Sequence, residues 1–322
     1  MRRVLSFFCL LLLIPSICLG AEFLVGKGQN ILQVSKNLQI AGLLENRFLF
    51  IWEALISGQW RKIKVGQYEI VKGSNPKEIL AILVAGRVAP KKVTIIAGWT
   101  IKDIAKALSR QGICGNGEFQ EYALATSSVE ALIPDFEFLR LLPQGAGLEG
   151  YLYPDTYNFE ANSQPEKVVR QMLDNFQKKI VLAKNFSYPK SGDTFSILTV
   201  ASLLEKEVRS FEDKKIVAGI LWKRLDAGYP LEVDSSLEYF RVGRGSLSKN
   251  PQLKTEDSGY NTYKYSGLPL GPICNPAKES FGAALSPTLS PYWFYLSAPD
   301  GKTIFSKNLR EHLINKEKYL VN

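Results

Sequence analysis

Short strand-like segments alternate with capped helical segments along the first third of this 322-residue chain. The segment VGQYEIV (65–71) alternates apolar and polar residues as a strand does, and SNPKEILAILVAGR (74–87) carries the start and stop signals of a helix. The segment KKVTIIAGWTIKDIAKALSRQG (91–112) repeats the strand-then-helix order. Because the long parallel βαβ series of a doubly wound fold is missing, the pattern predicts an α+β chain.

The length of the chain and the spacing of these units predict two domains. Residues 22–90 form a small α/β module, and residues 91–322 contain more helix and form a larger mixed α+β domain. Residues 1–20 differ from both. Arg2 and Arg3 precede the uncharged run LSFFCLLLLIPSICLG (5–20), which is typical of an export signal.

The apolar run is short for a membrane-spanning helix, which needs about 20 residues. Cleavage after Gly20 and retention as an N-terminal membrane anchor therefore both stay open, since the two arginines also satisfy the positive-inside rule. In either case the body of the chain is expected outside the cytoplasm. Its net charge of +9 suits an anionic cell envelope or membrane surface. Its scattered lysines and its export argue against nucleic acid as a partner.

The small number of cysteines and histidines limits which metal sites and disulfides the chain can form. The only histidine is His312, and no CxxC motif occurs, so a histidine-rich metal site is excluded and we predict neither a metal nor a cofactor. Two of the four cysteines lie in the predicted export signal, and the other two are Cys114 and Cys274. They can form one disulfide or stay as two buried thiols, and the sequence leaves both open.

The segment ASLLEKEV (201–208) carries two glutamates on a helix predicted from about residue 195 to 209. At 100° per residue, Glu205 falls inside the apolar stripe and Glu207 falls outside it. We therefore expect Glu205 to face the core or a cleft and Glu207 to be solvated. Burial raises the pKa of a carboxyl, and a protonated carboxyl can act as the acid of a glycosidase. A buried ion pair between Glu205 and an arginine or lysine is the equally weighted alternative.

Two further segments carry polar and aromatic side chains. Asp234 follows a short extended run, and a Gly- and Pro-rich loop (258–285) presents Asn261 and Tyr263. Rigid loops with aromatics and an amide suit a polar, ring-shaped ligand. A packed loop with aromatic anchors explains the same residues equally well.

Several motifs in order resemble those of the endolytic murein transglycosylase family, the YceG-like proteins. They are LEGYLYPDTY (148–157), ASLLEKEV, RLDAGYPLEVD, YNTYKYSGLPLGPICNP and YWFYLSAPDGKTIFSKNLREH, preceded by VTIIAGWT (93–100). The likeness covers most of the chain after residue 22. The chain departs from the family pattern at four positions: Ala97, Ser235, Leu270 and Leu313.

The resemblance implies a protein in the cytoplasmic membrane whose LysM-like module (22–90) and catalytic domain (91–322) face the cell wall. It implies cleavage of peptidoglycan glycan strands between N-acetylmuramic acid and N-acetylglucosamine, which leaves a 1,6-anhydro end, in company with glycan polymerases. The first glutamate of the family's ASxxEKE motif matches Glu205, so the resemblance implies Glu205 as the catalytic acid. We expect Asp234, Asn261, Tyr263 and Glu149 to bind substrate.

Two other functions stay open from the residues. The first is a hydrolase with two carboxylates, in which Asp234 serves as nucleophile or base and the products carry reducing ends. The second is a wall-binding or division scaffold without catalysis. Its weakness is Glu205 itself, because a pure binder does not need a carboxyl on an apolar helix face.

Overall fold

The computed structural model describes residues 20–86, 90–183, 193–243 and 255–320. The chain divides into two compact units, Met1–Pro90 and Lys91–Asn322. The predicted leader, residues 1–20, lies outside the described residues except for Gly20. Within the described ranges, no helix is both long enough and apolar enough to cross a membrane.

In the described part of the first unit, helices pack on an antiparallel two-stranded sheet. The elements are β1 (Gly20–Val25), α1 (Ile31–Ile40), α2 (Arg47–Ile56), β2 (Gly66–Val71) and α3 (Pro76–Ala85). Strands β1 and β2 pair with Gly20 opposite Val71. Asn30 and Asn75 begin α1 and α3 with capping boxes, which are local signals written into the sequence. The LysM-like character of this unit stays a prediction.

Helix α2 was not foreseen from the strand-then-helix pattern. Its segment RFLFIWEALI is apolar nearly all round, so it shows no clear helical stripe. Asn46 caps it by accepting a hydrogen bond from the backbone N–H of Phe48 at 2.9 Å. Phe50 and Ala54 point into the core of the unit, where they join the buried side chains of the two strands.

The second unit is mainly helical, with two separate antiparallel strand pairs among its described residues. Its first half contains β3 (Lys91–Thr94), α4 (Ile101–Arg110), α5 (Asn116–Leu124), α6 (Thr126–Leu132), β4 (Thr156–Phe159) and α7 (Pro165–Phe176). Its second half contains α8 (Asp193–Glu207), α9 (Phe211–Asp226), α10 (Asp234–Gly243), α11 (Lys278–Leu285), β5 (Phe294–Ser297), β6 (Thr303–Ser306) and α12 (Leu309–Leu320). The α+β prediction is confirmed. Cys114 and Cys274 are buried free thiols, the second of the two alternatives.

Helix α8 is largely enclosed within the second unit. It packs against α9, α10 and α11. Buried side chains point in most directions from it, including Leu198, Val200, Ala201 and Leu203. A helix that is covered on most sides has no broad solvent face, so apolar periodicity cannot assign one. This matters for the glutamate pair that it carries.

Gly219 lets α9 approach the backbone of the segment that follows α11. A Cβ added at Gly219 would lie 2.2 Å from the carbonyl oxygen of Thr288. That backbone is held in place, because the N–H of Thr288 donates to the carbonyl oxygen of Lys215 at 2.9 Å. Close packing against fixed backbone leaves no room for even one methyl group.

We expect Gly219→Ala to lower the free energy of unfolding by about 1–3 kcal/mol through overpacking. This outweighs the roughly 1 kcal/mol by which alanine favours a helix interior over glycine. Gly282→Ala in α11 is the matched control, since an added Cβ there meets nothing within 4 Å. It is expected to be neutral or stabilising in denaturant unfolding. Equal destabilisation by both variants would contradict the close-approach explanation.

Candidate active site

Glu205 faces inward from α8, towards α9 and α11. Its Oε2 accepts hydrogen bonds from the Ser280 hydroxyl at 2.5 Å and from the backbone N–H of Ala277 at 3.1 Å. The Nζ of Lys214 lies 3.4 Å from the same oxygen, and the two charged side chains are only 12% and 7% exposed. These contacts correspond to the buried ion pair, the second of the two interpretations considered for Glu205. Its catalytic role stays a prediction.

Glu207 ends α8 and lines an open cavity of about 390 Å³. Glu207 is partly exposed and keeps contact with solvent there, but the expectation that it lies on an outer face of the helix is wrong, because its neighbours on that face are covered. Val200 and Leu203 lie two turns and one turn before it on the same side of α8, and both are fully buried. Those two apolar positions are the sequence signal that could have placed Glu207 in a buried setting.

The surroundings of Glu207 favour its protonated form. Burial raises its pKa, and the negative charges of Asp234 and Glu238 raise it further. The backbone N–H of Ser235, in the first turn of α10, donates to its Oε1 at 3.4 Å and acts in the opposite direction. The net shift is upwards. A raised pKa is the direction of shift that a general acid requires.

Asp234 and Tyr263 form a pair in the same cavity. The Tyr263 hydroxyl donates to Oδ1 of Asp234 at 2.6 Å. Burial, and then this hydrogen bond, raise the pKa of Tyr263, so its hydroxyl stays a donor. Asp234 is the first residue of α10, and Tyr263 comes from the Gly- and Pro-rich loop. The cavity is thus lined by the last residue of α8, the first residue of α10 and a residue of that loop.

A strained turn brings Asp234 to this position. Glu232 has a φ of 53°, which is a left-handed conformation that non-glycine residues seldom adopt. Arg224, only 4% exposed, holds the turn by donating to the carbonyl oxygens of Pro230 at 3.1 Å and Leu231 at 3.0 Å. Strain of this kind persists where the surroundings fix it, and it concentrates at functional sites.

His312 also borders this cavity. Its ring stacks on Phe294, with the centroids 5.2 Å apart. Burial and the positive charges of Lys316 and Arg224 lower its pKa, so the imidazole is neutral at pH 7. The cavity therefore combines a carboxyl whose pKa is raised with a neutral imidazole, a tyrosine hydroxyl and a second carboxylate.

Asn261 is buried within the loop rather than directed at the cavity. Its Nδ2 donates to the carbonyl oxygen of Glu256 at 2.7 Å, and its Oδ1 accepts the N–H groups of Tyr263 at 3.1 Å and Lys264 at 3.2 Å. These bonds shape the turn that carries Tyr263. The proposed contact between Asn261 and substrate stays a prediction.

Glu149 lies at a different cavity, of about 440 Å³, with Tyr260 and Phe195 in its wall. Its carboxyl accepts the N–H of Ile101 at 3.1 Å and the Nδ2 of Asn275 at 2.9 Å. Asn275 Oδ1 in turn accepts backbone N–H groups of the segment that follows Glu149. The pair ties together three segments that are distant in sequence, which are the start of α4, residues 149–152 and the end of the loop.

Burial raises the pKa of Glu149 to about 8, above the ordinary value of about 4.5. A raised folded-state pKa favours folding while the group is protonated, and this contribution is lost as pH rises from the unfolded value towards about 8. We expect Glu149→Gln, which stays neutral, to flatten that pH dependence. Denaturant unfolding of both chains at pH 5 and pH 9 tests this. An unchanged stability difference between the two pH values would contradict it.

The structure thus brings Asp234 and Tyr263 together and adds Glu207, Arg224 and His312 to them. Glu205, Asn261 and Glu149 are not among the described residues that line this cavity. Across the described ranges, no three histidine, cysteine, aspartate or glutamate side chains are grouped as a metal ion would require.

Comparison with known proteins agrees with this arrangement of motifs and fold. The model of the YceG-like family matches residues 23–318. A crystal structure of a yceG-like protein from Listeria monocytogenes superposes with a TM-score of 0.59 and 26% sequence identity, covering 92% of this chain and 99% of that one. The fold and the family model together define the class, and the chain belongs to the YceG-like family.

Three relatives of the chain carry the name endolytic murein transglycosylase, two of them from Streptococcus pneumoniae. The protein from Streptococcus pneumoniae R6 is 27% identical over 89% of this chain and 56% of its own length. The protein from Bacillus subtilis 168 is 28% identical over 80% of this chain and 73% of its own length. The chain therefore spans little more than half the length of the pneumococcal relative.

Proposed function

We propose that this chain is an endolytic lytic transglycosylase that cleaves peptidoglycan glycan strands between N-acetylmuramic acid and N-acetylglucosamine. The membership of the YceG-like family and the names of the relatives support the reaction class. The observation that carries the proposal is Glu207, a carboxyl whose pKa burial raises and which lines an open cavity beside Asp234 and Tyr263.

In the proposed reaction, Glu207 protonates the glycosidic oxygen as the bond from that oxygen to the anomeric carbon of the muramic acid breaks. The C6 hydroxyl of the same sugar then attacks the anomeric carbon and returns its proton to Glu207. One carboxyl acts first as acid and then as base, so neither an external water nor a covalent nucleophile is needed. The products are a 1,6-anhydro-muramic end and a free 4-hydroxyl.

Asp234 is proposed to stabilise the positive charge that develops at the anomeric carbon, as a carboxylate does near an oxocarbenium-like transition state. Tyr263 holds it in place through the 2.6 Å hydrogen bond. The catalytic role that the resemblance implies for Glu205 is the alternative to this assignment. With Glu207 as the acid, Glu205 is proposed as a positioning residue. It fixes α8 to α9 and α11 through Lys214 and Ser280, and so sets where Glu207 projects.

A hydrolase with two carboxylates is the second candidate, because Asp234 shares the cavity with Glu207. Mass spectrometry of the products from purified murein separates the two reactions. Muropeptides with 1,6-anhydro ends are expected. Products with only reducing ends would show that the enzyme is a hydrolase. Binding to murein without any product would show that the chain is a wall-binding protein.

The finer assignments of location and partners are part of the proposal. Residues 1–20 would act as a single membrane anchor or a cleaved signal, and the catalytic domain, residues 91–322, would face the wall. The glycan polymerases of wall synthesis are the proposed partners, because the strands they extend are the strands that this enzyme would cut.

A further inference from the structure

The outer face of α2 is apolar and uncovered. Phe48, Leu49, Trp52, Leu55 and Ile56 project from one side of this ten-residue helix, and each is more than half exposed. At 100° per residue they fall within a single arc of about 120°. Soluble monomers seldom expose large apolar side chains in such a contiguous group, and such patches mark interaction sites.

The position of this face is fixed by the fold. Phe50 and Ala54 are fully buried on the opposite side of α2, so the helix cannot turn its apolar face inwards. Asn46 caps its first turn. The helix is about 15 Å long, too short to cross a bilayer but long enough to lie along its surface.

One cation contacts the patch, and others follow α2 in the chain. The guanidinium of Arg47 lies 4.9 Å from the ring centroid of Phe48, and that of Arg61 lies 4.4 Å from that of Trp60. Residues 47–64 contain four arginines and lysines and one acid, Glu53. Tryptophan, large aliphatic residues and flanking cations together are typical of helices that rest at a membrane interface.

We propose that the α2 face lies on the surface of an anionic lipid bilayer. The apolar side chains enter the boundary between head groups and acyl chains, and Arg47, Arg61 and Lys62 meet the lipid phosphates. The uncharged run of residues 5–20 ends where β1 begins, so an anchor formed by that run would place this unit next to the bilayer.

Other occupants fit the face less well. Leu49, Leu55 and Ile56 offer neither donors nor acceptors to a glycan, whose ring edges require them. Residues 47–64 carry four cations and one acid, a net charge of +3. A second copy packed face to face would therefore set two positive segments against each other, and like charges across an interface oppose association. An anionic lipid surface satisfies both the apolar residues and the cations. This inference is independent of the proposed enzymatic activity.

Tryptophan quenching by brominated lipid tests the proposal on the full chain. The chain is reconstituted into vesicles of phosphatidylcholine and phosphatidylglycerol whose acyl chains do or do not carry bromine. Bromine in the acyl region is expected to quench part of the emission, and Trp52→Phe is expected to lose much of that quenched part. Leu49→Gln with Leu55→Gln should also reduce it, since both changes make the face polar.

Leu289→Gln is the control, because Leu289 is a leucine of the second unit that is even more exposed than Leu49 and Leu55, and it should leave the quenching unchanged. Equal emission in the two kinds of vesicle would overturn the proposal. So would a quenched fraction that Trp52→Phe does not alter. A third result would identify a second copy as the occupant instead. In that case bromine does not quench the emission, the native chain self-associates in detergent, and the double leucine variant does not.

Discussion

Glu207→Gln is expected to lower the rate of glycan-strand cleavage by roughly 10²–10⁴-fold, the contribution of a general acid. Glutamine has nearly the same shape but cannot protonate the leaving oxygen. The chain should stay folded, because this change removes a partly buried carboxyl whose charged form is already disfavoured. Steady-state rates on defined glycan strands, together with circular dichroism of the variant, measure both expectations.

Glu238→Gln provides a matched control for Glu207→Gln. It removes a negative charge that raises the pKa of Glu207, but Glu238 is not among the described residues that line the cavity. Because the acid must be protonated, cleavage should decline as pH rises through the pKa of Glu207. Glu238→Gln should keep the activity and move that decline to lower pH. A decline that stays at the same pH would argue against Glu207 as the titrating acid.

Glu205→Gln is expected to lower the free energy of unfolding by about 3 kcal/mol, since it leaves the ammonium group of Lys214 buried without its partner. Glutamine can still accept the hydrogen bonds from Ser280 and Ala277, so the loss is mainly that of the ion pair. Denaturant unfolding measures the change. A variant as stable as the native chain would contradict this explanation of Glu205.

The double variant Glu205→Gln with Lys214→Met separates the ion pair from other effects. Replacing both charged partners removes the buried charge as well as its counterion. We expect the double variant to lose less stability than the sum of the two single variants. A strictly additive result would mean that the two side chains do not depend on each other.

The elements with strong local signals are the ones that the sequence predicts. Asn75 with Glu78, and Pro76 in the first turn, define α3 wherever it packs, and the alternation of residues 66–71 defines β2. Helix α2 lacks such a signal because both of its faces are apolar. The order of the capped helices and alternating strands can therefore be predicted from the sequence. Helix α2 cannot, because its outer face is apolar as well as its buried face.

The site shows the same division. The motif containing Glu205 and Glu207 was identified, and so were Asp234 and Tyr263, which the structure joins. The periodicity argument misplaced the face that carries Glu207 because it assumes one buried face, whereas α8 is buried on most of its sides. Arg224 could not be found either, since its role is to bind backbone carbonyls that only the folded turn brings near it.

Release of 1,6-anhydro-muropeptides by Glu205→Gln and Glu207→Gln, measured side by side on purified murein, tests the central claim most directly. Both variants are assayed at a temperature at which unfolding curves show each of them to be folded. We predict that Glu205→Gln still releases these products, more slowly than the native chain because Glu205 positions Glu207, and that Glu207→Gln releases almost none. A folded but inactive Glu205→Gln beside an active Glu207→Gln would contradict the account and assign the acid to Glu205.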